Sequence, residues 1–165
     1  MTVPADPDAQ EYVTWVNSLP LAVEFGISCV EATRGGTRMT LTKSPIAANP
    51  NGAIHGGIVS ALIDHAMGAT AMTVMPPRTA AVTATLNIDY LAPAVLPLTF
   101  DTTVVRHSRA LVFVQTRVRS GERLVDVATG TFVALDNYLL DPAEATGDLP
   151  GYYFTPPPVA AASDA

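Results

Sequence analysis

The chain has 165 residues, of which 48% are hydrophobic and 15% charged, and its formal net charge is -6. This length predicts one domain with a hydrophobic core of its own, and the negative charge argues against nucleic acid as the main partner, since phosphate contacts require a basic surface. No membrane span is predicted, because the most apolar stretch, residues 58–75, is interrupted by Asp64, His65 and Gly68.

The N-terminal segment is predicted to be an arm followed by a short helix. Residues 1–9 are acidic and lack the basic and apolar regions of a signal peptide. The stretch DAQEYVTWVNSL has apolar residues at helical spacing, and Pro20 is expected to end the helix. We therefore assign residues 1–18 to an arm and short helix, residues 19–140 to the folded domain, and residues 141–165 to a surface tail rich in Pro and Ala.

Two strands are predicted next, within FGISCVEATRGGTRMTLT, with a turn at Gly35 and Gly36. The first of these strands carries Cys29, the single cysteine of the sequence. One cysteine cannot form an internal disulfide, which fits a reducing compartment and therefore a cytoplasmic location. We interpret Cys29 as a small buried hydrophobic residue in preference to a reactive thiol.

A long helix is predicted over residues 56–75, where nearly every face is apolar, and Pro76 and Pro77 provide a stop. A helix that is apolar almost all round packs at the centre of a fold. Asp64 is the exception on this helix. A carboxylate in such a position needs a partner or a task, because an isolated buried charge is costly.

Beyond the helix the hydrophobic period changes from 3.6 to 2. VTATLNIDY alternates strictly and predicts a strand, and three more strands are predicted in LPLTFDTTVVRH, ALVFVQTRVRS and RLVDVATGTFVALDNY, with turns at HSRA and SGE. We expect these four strands to form a meander and all six strands to form one antiparallel sheet against the long helix, which is an α+β fold. Free sheet edges in such a fold favour a homo-oligomer.

Asp64 shares one side of the predicted helix with small residues. At about 100° per residue, Gly57, Ser60, Asp64 and Gly68 fall into one stripe. At the helix start, the N–H groups of Gly56 and Gly57 have no helical partner and favour an oxyanion. A carboxylate and free N–H groups together indicate acyl transfer. The alternative from the residues alone is structural, with a glycine pair at a tight helix entry and Asp64 as a buried hydrogen-bond acceptor.

Other chemistries fit the sequence less well. His55, Asp64, His65 and His107 lack the spacing of metal ligands. No G-x-S-x-G motif surrounds Ser60, which argues against a serine hydrolase. Neither pair of glycines follows the strand–loop–helix pattern of a phosphate-binding loop.

The segment NPNGAIHGGIVSALID, together with LNIDYLAPA, RHSRALVFVQTRV and ATGTFVAL, resembles the hotdog-fold acyl-CoA thioesterases. Within them it is similar to the PaaI-like branch of the 4-hydroxybenzoyl-CoA thioesterase superfamily. The resemblance covers about residues 19–139. Its most specific part is the HGG motif, with Asp64 eight residues after the first glycine and Asn49 six residues before the histidine. It implies an antiparallel sheet wrapped around one central helix, hydrolysis of an acyl-CoA, and a homotetramer built as a dimer of dimers.

The resemblance also implies roles for individual residues. Asp64 matches the catalytic acid, which acts as general base or nucleophile, and Gly56 matches the glycine whose N–H polarises the thioester carbonyl. Asn49 and His55 match residues that shape the pocket and hold the carbonyl or the attacking water. Thr83 matches a hydroxyl that positions water near the acid across the dimer interface.

The remaining implied positions concern the substrate. Gly57, at the start of the predicted helix, is expected to bind substrate, and Arg109 and Arg106 match basic positions near the phosphates of coenzyme A. Since coenzyme A is part of the substrate, no separate cofactor and no metal are expected, and no membrane or nucleic-acid partner is expected.

Several alternatives remain at this point. Asp64 and Gly68 replace the Glu and Thr that are common in the aryl-CoA branch, which points away from that branch. A hotdog enoyl-CoA hydratase would have Asp where Ala47 stands, two residues before Asn49. A non-catalytic acyl-CoA-binding protein would keep the pocket without turnover. A structural oligomer would pair Asp64 with a partner chain.

Overall fold

The computed structural model describes residues 7–46, 48–76 and 79–136. The predicted tail lies outside these residues, and the predicted domain boundaries remain predictions. The described chain contains three helices and six strands: α1 (Pro7–Ser18), α2 (Pro20–Phe25), β1 (Ile27–Thr33), β2 (Gly36–Leu41), α3 (Gly56–Met72), β3 (Thr79–Tyr90), β4 (Leu98–His107), β5 (Leu111–Ser120) and β6 (Arg123–Asp136).

The six strands form one antiparallel sheet in the order β1-β2-β4-β5-β6-β3, which confirms the α+β fold class. The prediction of a four-strand meander is wrong for β3, which pairs with β6 at the far edge, while β4 pairs with β2. No tight turn joins β3 to β4, because the connecting residues 91–97 include Pro93 and Pro97 and carry the chain back across the sheet.

Helix α3 packs against the sheet as the central helix of a hotdog fold. Eight of its residues are buried, namely Val59, Leu62, Ile63, Ala66, Met67, Ala69, Thr70 and Ala71. The helix ends at Met72, earlier than predicted, and the Thr73 side chain explains this end. Its hydroxyl donates to the Thr70 carbonyl at 2.7 Å and accepts from the Gly35 N–H at 2.7 Å. One side chain thereby satisfies a helix end and ties it to the β1–β2 turn.

The N-terminal helices cover β1, although their boundary differs from the prediction. Pro20 does not simply end α1. It begins α2, a short helix that the sequence analysis missed, because proline fits the first helical position, where no N–H is needed. Tyr12 of α1 is buried and donates from its hydroxyl to the Ala69 carbonyl of α3.

Cys29 is 3% exposed, as the interpretation of a buried residue requires. Burial raises the pKa of its thiol to about 11, so that the thiolate needed for nucleophilic chemistry is scarce at neutral pH.

Gly130 of β6 lies close to a side chain of α3. A Cβ atom on Gly130 would lie 2.9 Å from Met67 Sδ and 3.3 Å from the Thr85 carbonyl oxygen. Real Cβ atoms do not tolerate such contacts without a shift of their neighbours, so the missing side chain lets α3 sit close to the sheet.

We expect Gly130→Ala to lower the free energy of unfolding by about 1–3 kcal/mol, because the added methyl group overpacks this contact. Gly68→Ala on α3 is the matched control. Its Cβ would meet Phe132 at 3.6 Å, an ordinary contact, so this change should be neutral or stabilising by about 0.5–1 kcal/mol. Urea denaturation of the two variants measures the difference, and equal midpoints would show that Met67 moves aside at no cost.

Candidate active site

Asp64 of α3 is held by a strand hydroxyl. The Thr83 hydroxyl of β3 donates to Asp64 Oδ1 at 2.8 Å, and Asp64 is half-buried. This contact lies within one chain, whereas the resemblance implied that Thr83 acts across a dimer. Because the hydroxyl is used on the carboxylate, Thr83 is placed to orient the acid and leaves the second carboxylate oxygen for another donor.

The two glycines at the start of α3 differ in whether their backbone N–H has a hydrogen-bond partner. His55 is the N-cap, and its Nδ1 accepts from the Gly57 N–H at 3.0 Å. The Gly57 N–H is therefore occupied, while the Gly56 N–H has no hydrogen-bond partner among the described residues. Since Nδ1 of His55 is an acceptor, the neutral ring carries its proton on Nε2. Of the two predicted donors, the N–H of Gly56 is the one left for a ligand.

Asn49 is fixed by its own loop. Its Oδ1 accepts from the N–H groups of Asn51 at 2.9 Å and Ala53 at 3.1 Å, which is ordinary turn chemistry. The amide Nδ2 has no hydrogen-bond partner among the described residues and remains a donor. The turn interpretation and the ligand interpretation of Asn49 are therefore compatible.

A cavity of about 400 Å³ lies at this end of α3, and Asn49 and Gly56 line it. Tyr90, the last residue of β3, covers Gly56: its hydroxyl donates to the Gly56 carbonyl at 3.1 Å, and its ring lies 3.4 Å from where a Gly56 Cβ would be. His55 is exposed and is not among the lining residues, so only part of the predicted set meets at this cavity.

The two members of the predicted acyl-transfer pair, Gly56 and Asp64, are far apart within one chain. Gly56 and Asp64 are separated by eight residues of helix, which is about 12 Å at 1.5 Å per residue. A base and an oxyanion donor that act on one carbonyl must each lie about 3 Å from the reacting atoms. Gly56 and Asp64 of the same chain therefore do not form one site.

The predicted basic positions lie at the end of the sheet that carries Thr83. Thr83 pairs with Phe132 and Phe132 with Val112, so these residues form one row, and the β4–β5 turn lies just beyond it. Arg106, near the end of β4, and Arg109, in the turn, are exposed and form no ion pair with any described residue. Their guanidinium groups are open to an anion.

His65, one residue after Asp64, points elsewhere. Its Nε2 is buried without a partner among the described residues, and burial lowers its pKa, against the raising effect of Asp64. Within residues 7–46, 48–76 and 79–136, no three His, Cys, Asp or Glu side chains are grouped as a metal site would require, and no helix is long and apolar enough to cross a membrane.

Comparisons with known proteins place this chain in a family. A family model described as "Thioesterase superfamily" matches residues 51–127, which include Gly56, Asp64 and Thr83. A Halobacterium salinarum protein named "Putative esterase" is 35% identical over 107 residues, covering 62% of this chain and 71% of that protein. The chain belongs to the thioesterase superfamily.

Solved structures agree with this membership. A thioesterase family protein of Silicibacter pomeroyi has the same fold, with a TM-score of 0.71 and 24% identity over 77% of this chain and 97% of that one. A Bacillus halodurans protein solved with CoA has a TM-score of 0.65 and 25% identity, covering 82% of this chain and 98% of its own. A Streptococcus mutans protein bound to acetyl CoA has a TM-score of 0.61 and 25% identity, covering 67% and 89%.

Two residues of this thioesterase-superfamily chain were not singled out from its sequence. Tyr90 appeared only as part of an alternating strand, and Asp126 only as part of RLVDVATGTFVAL. Asp126 lies on the helix-facing side of β6, opposite Tyr90 and Val118, and lines the cavity at Gly56. Because apolar residues occur on both faces of β6, with Val125 and Val127 on one and Ala128 and Phe132 on the other, strict alternation did not mark Asp126 as inward-facing.

Proposed function

We propose that the protein is an acyl-CoA thioesterase that hydrolyses R–CO–S–CoA with water to the free acid and CoA-SH. The proposal rests on two features of one helix: Asp64 is oriented by Thr83, and the Gly56 N–H has no hydrogen-bond partner among the described residues. Family membership supports thioester hydrolysis in general, and the CoA in two similar structures supports coenzyme A as the thiol.

The site is proposed to form between two chains, because the two groups lie about 12 Å apart on one helix. β3 supports this arrangement: it is a sheet edge 12 residues long, and most of its second half is exposed. A long unpaired edge invites pairing with a second copy. In a two-fold dimer through β3, the strands run antiparallel, and the start of α3 in one chain approaches the middle of α3 in the other.

In the proposed reaction, the thioester oxygen accepts from the Gly56 N–H of one chain and from Asn49 Nδ2. Asp64 of the other chain acts as general base or nucleophile. As general base it takes a proton from water while the water oxygen bonds to the carbonyl carbon, and the tetrahedral oxyanion rests on the two donors. The C–S bond then breaks, and the departing sulfur takes the proton from Asp64.

The substrate's phosphates are proposed to contact Arg109 and Arg106. Both guanidinium groups are exposed and unpaired among the described residues, which supplies local positive charge on a chain of net charge -6. We further propose a cytoplasmic homotetramer, a dimer of dimers, in which the β3 dimer is the catalytic unit.

Continuous release of CoA thiol from an acyl-CoA panel tests the proposal. We expect the purified protein to release many equivalents of CoA per chain from at least one member of a panel of short, long and aryl acyl-CoAs, followed with a thiol reagent. A non-catalytic binding protein would release none while still binding CoA in calorimetry. A hydratase would consume an enoyl-CoA without freeing its thiol, and either result would contradict the proposal.

A further inference from the structure

Asp126 is a buried carboxylate without a partner. It is 1% exposed, and neither carboxylate oxygen has a hydrogen-bond partner among the described residues. No ion pair reaches it within those residues either. An uncompensated buried carboxylate is costly, so its retention at this position calls for a ligand or a task.

Among the described residues, the neighbours of Asp126 offer its carboxylate no hydrogen-bond donor. On the helix-facing side of the sheet its neighbours are Val118 of β5 and Tyr90 of β3, and the Tyr90 hydroxyl is already used on the Gly56 carbonyl. Burial raises the pKa of Asp126 to about 6, so the carboxylate form predominates at pH 7–8. In that form its oxygens only accept hydrogen bonds, and the group that satisfies them must be a donor.

The cavity that Asp126 lines also contains the Gly56 N–H end of α3. Its other walls are mainly apolar and comprise Ala53, Ile54, Val59, Leu91, Ala92, Pro93 and Ala94. An apolar cavity with a few convergent polar groups is typical of a small-molecule site, and about 400 Å³ lies within the usual range. The diphosphate of coenzyme A would be repelled by a carboxylate, and we assign the cavity to the acyl group in preference to the pantetheine arm because its walls are mainly apolar.

We propose that Asp126 is a specificity-determining residue that accepts a hydrogen bond from a donor at the far end of the acyl group, so that ω-hydroxyacyl-CoAs are preferred over their unsubstituted counterparts. This inference rests on the proposed thioesterase function. The thioester oxygen lies at Gly56, the chain runs along the apolar walls, and its terminal hydroxyl donates to the recessed carboxylate. An unsubstituted chain would leave Asp126 desolvated and unpaired.

The test compares matched pairs of straight-chain substrates of increasing length, each pair an alkanoyl-CoA and its ω-hydroxy counterpart. For the unaltered protein we expect kcat/KM to favour the hydroxylated member of the best pair by about 10- to 1,000-fold, since a site with a buried polar group rejects an analogue that leaves the group unpaired. In Asp126→Val this ratio should fall to about one or below, while hydrolysis of the alkanoyl-CoA persists. Asp126→Asn keeps an acceptor and should retain part of the preference.

A control variant and a stability measurement distinguish a role of Asp126 in substrate specificity from a role in structure. Asp101→Val makes the same change on the outer face of the sheet, where only the half-exposed ion pair with Arg38 is lost, and should leave the ratio unchanged. Asp126→Val should also raise the midpoint of thermal unfolding at pH 7.5, because it removes an uncompensated buried charge. A lower midpoint would make Asp126 a structural acceptor and overturn the inference.

The outcomes also separate this inference from the function on which it rests. If the unaltered protein releases CoA from no substrate, the thioesterase proposal itself fails. If it hydrolyses both members of every pair equally well, only the role of Asp126 fails. If Asp126→Val raises KM equally for both members, Asp126 contacts the pantetheine arm common to them, which also overturns the inference.

Discussion

Asp64→Asn is expected to lower kcat for acyl-CoA hydrolysis by about two to four orders of magnitude, because it removes the group that deprotonates or replaces the attacking water. The amide has nearly the same shape as the carboxylate, so the contact with the Thr83 hydroxyl is preserved in geometry. Steady-state release of CoA thiol, with the substrate the unaltered protein hydrolyses best, measures the loss.

Thr83→Val is the matched control for Asp64→Asn. It removes the hydroxyl that donates to Asp64 Oδ1 and keeps the strand's β-branched shape. The loss in kcat should be smaller, about tenfold, because the acid remains and only its orientation suffers. A loss as large as that of Asp64→Asn would mean that Thr83 itself touches the reacting atoms.

Thermal unfolding of Asp64→Asn distinguishes catalysis from a structural role. An active-site carboxylate is commonly replaced at no cost to stability, or with a gain. If Asp64 instead pairs with a partner chain, its replacement should destabilise the oligomer by about 3–5 kcal/mol, as loss of one member of a buried charged pair does. An inactive but equally stable variant therefore supports the proposed mechanism, and a fully active one refutes it.

Gly56→Pro is expected to lower kcat by about 100- to 1,000-fold, the usual effect of deleting one oxyanion donor. Gly56 is the first residue of α3, where proline is well accommodated, and His55 before it has an extended ψ of 134° that suits a following proline. The substitution thus removes the N–H and leaves the helix in place.

Gly56→Ala is the control for this variant, because it adds a side chain and keeps the N–H. Its Cβ would approach the Tyr90 ring at 3.4 Å, a contact at the edge of the ordinary range. Gly56→Ala should therefore retain most of kcat. Equal losses in the proline and alanine variants would show that space at Tyr90 matters and that the N–H does not.

Mixing the two inactive variants tests whether the site spans two chains. In a hybrid dimer of Asp64→Asn and Gly56→Pro chains, one site combines both changes and the other combines neither. After dissociation and reassociation of equal amounts, about half the dimers are hybrids, so about a quarter of the unaltered activity should return. No recovery, with hybrid formation shown by a tagged chain, would place the whole site within one chain.

The sequence predicted the secondary structure well and the strand order less well. The buried α3 and all six strands follow from hydrophobic periodicity and turn residues, because these are local signals. The pairing of β3 with β6 depends on how residues 91–97 cross the sheet, which no local pattern encodes. The missed helix α2 begins at Pro20, a residue that ends one helix or starts the next according to context.

For the candidate site, the sequence singled out candidate residues but not the hydrogen bonds that divide them into occupied and free groups. The stripe that includes Asp64 and the glycines at the helix start follow from helical geometry. That His55 occupies the Gly57 N–H and leaves Gly56 free depends on a single side-chain rotamer. Asp126 was missed because both faces of β6 are apolar, and only the fold shows which face meets the cavity.

Helix α3 separates two properties of a thioesterase: the geometry of the reaction and the choice of acyl group. In the proposed two-chain site, one copy of α3 carries the acid and the other copy carries the oxyanion donor, so the reaction geometry depends on the two helices. Apart from Val59 of α3, the apolar walls of the cavity come from other parts of the chain, namely the loop before the helix and residues 91–94. Substitutions in those walls therefore change which acyl groups fit without disturbing the reaction geometry, so selectivity and chemistry are free to diverge independently.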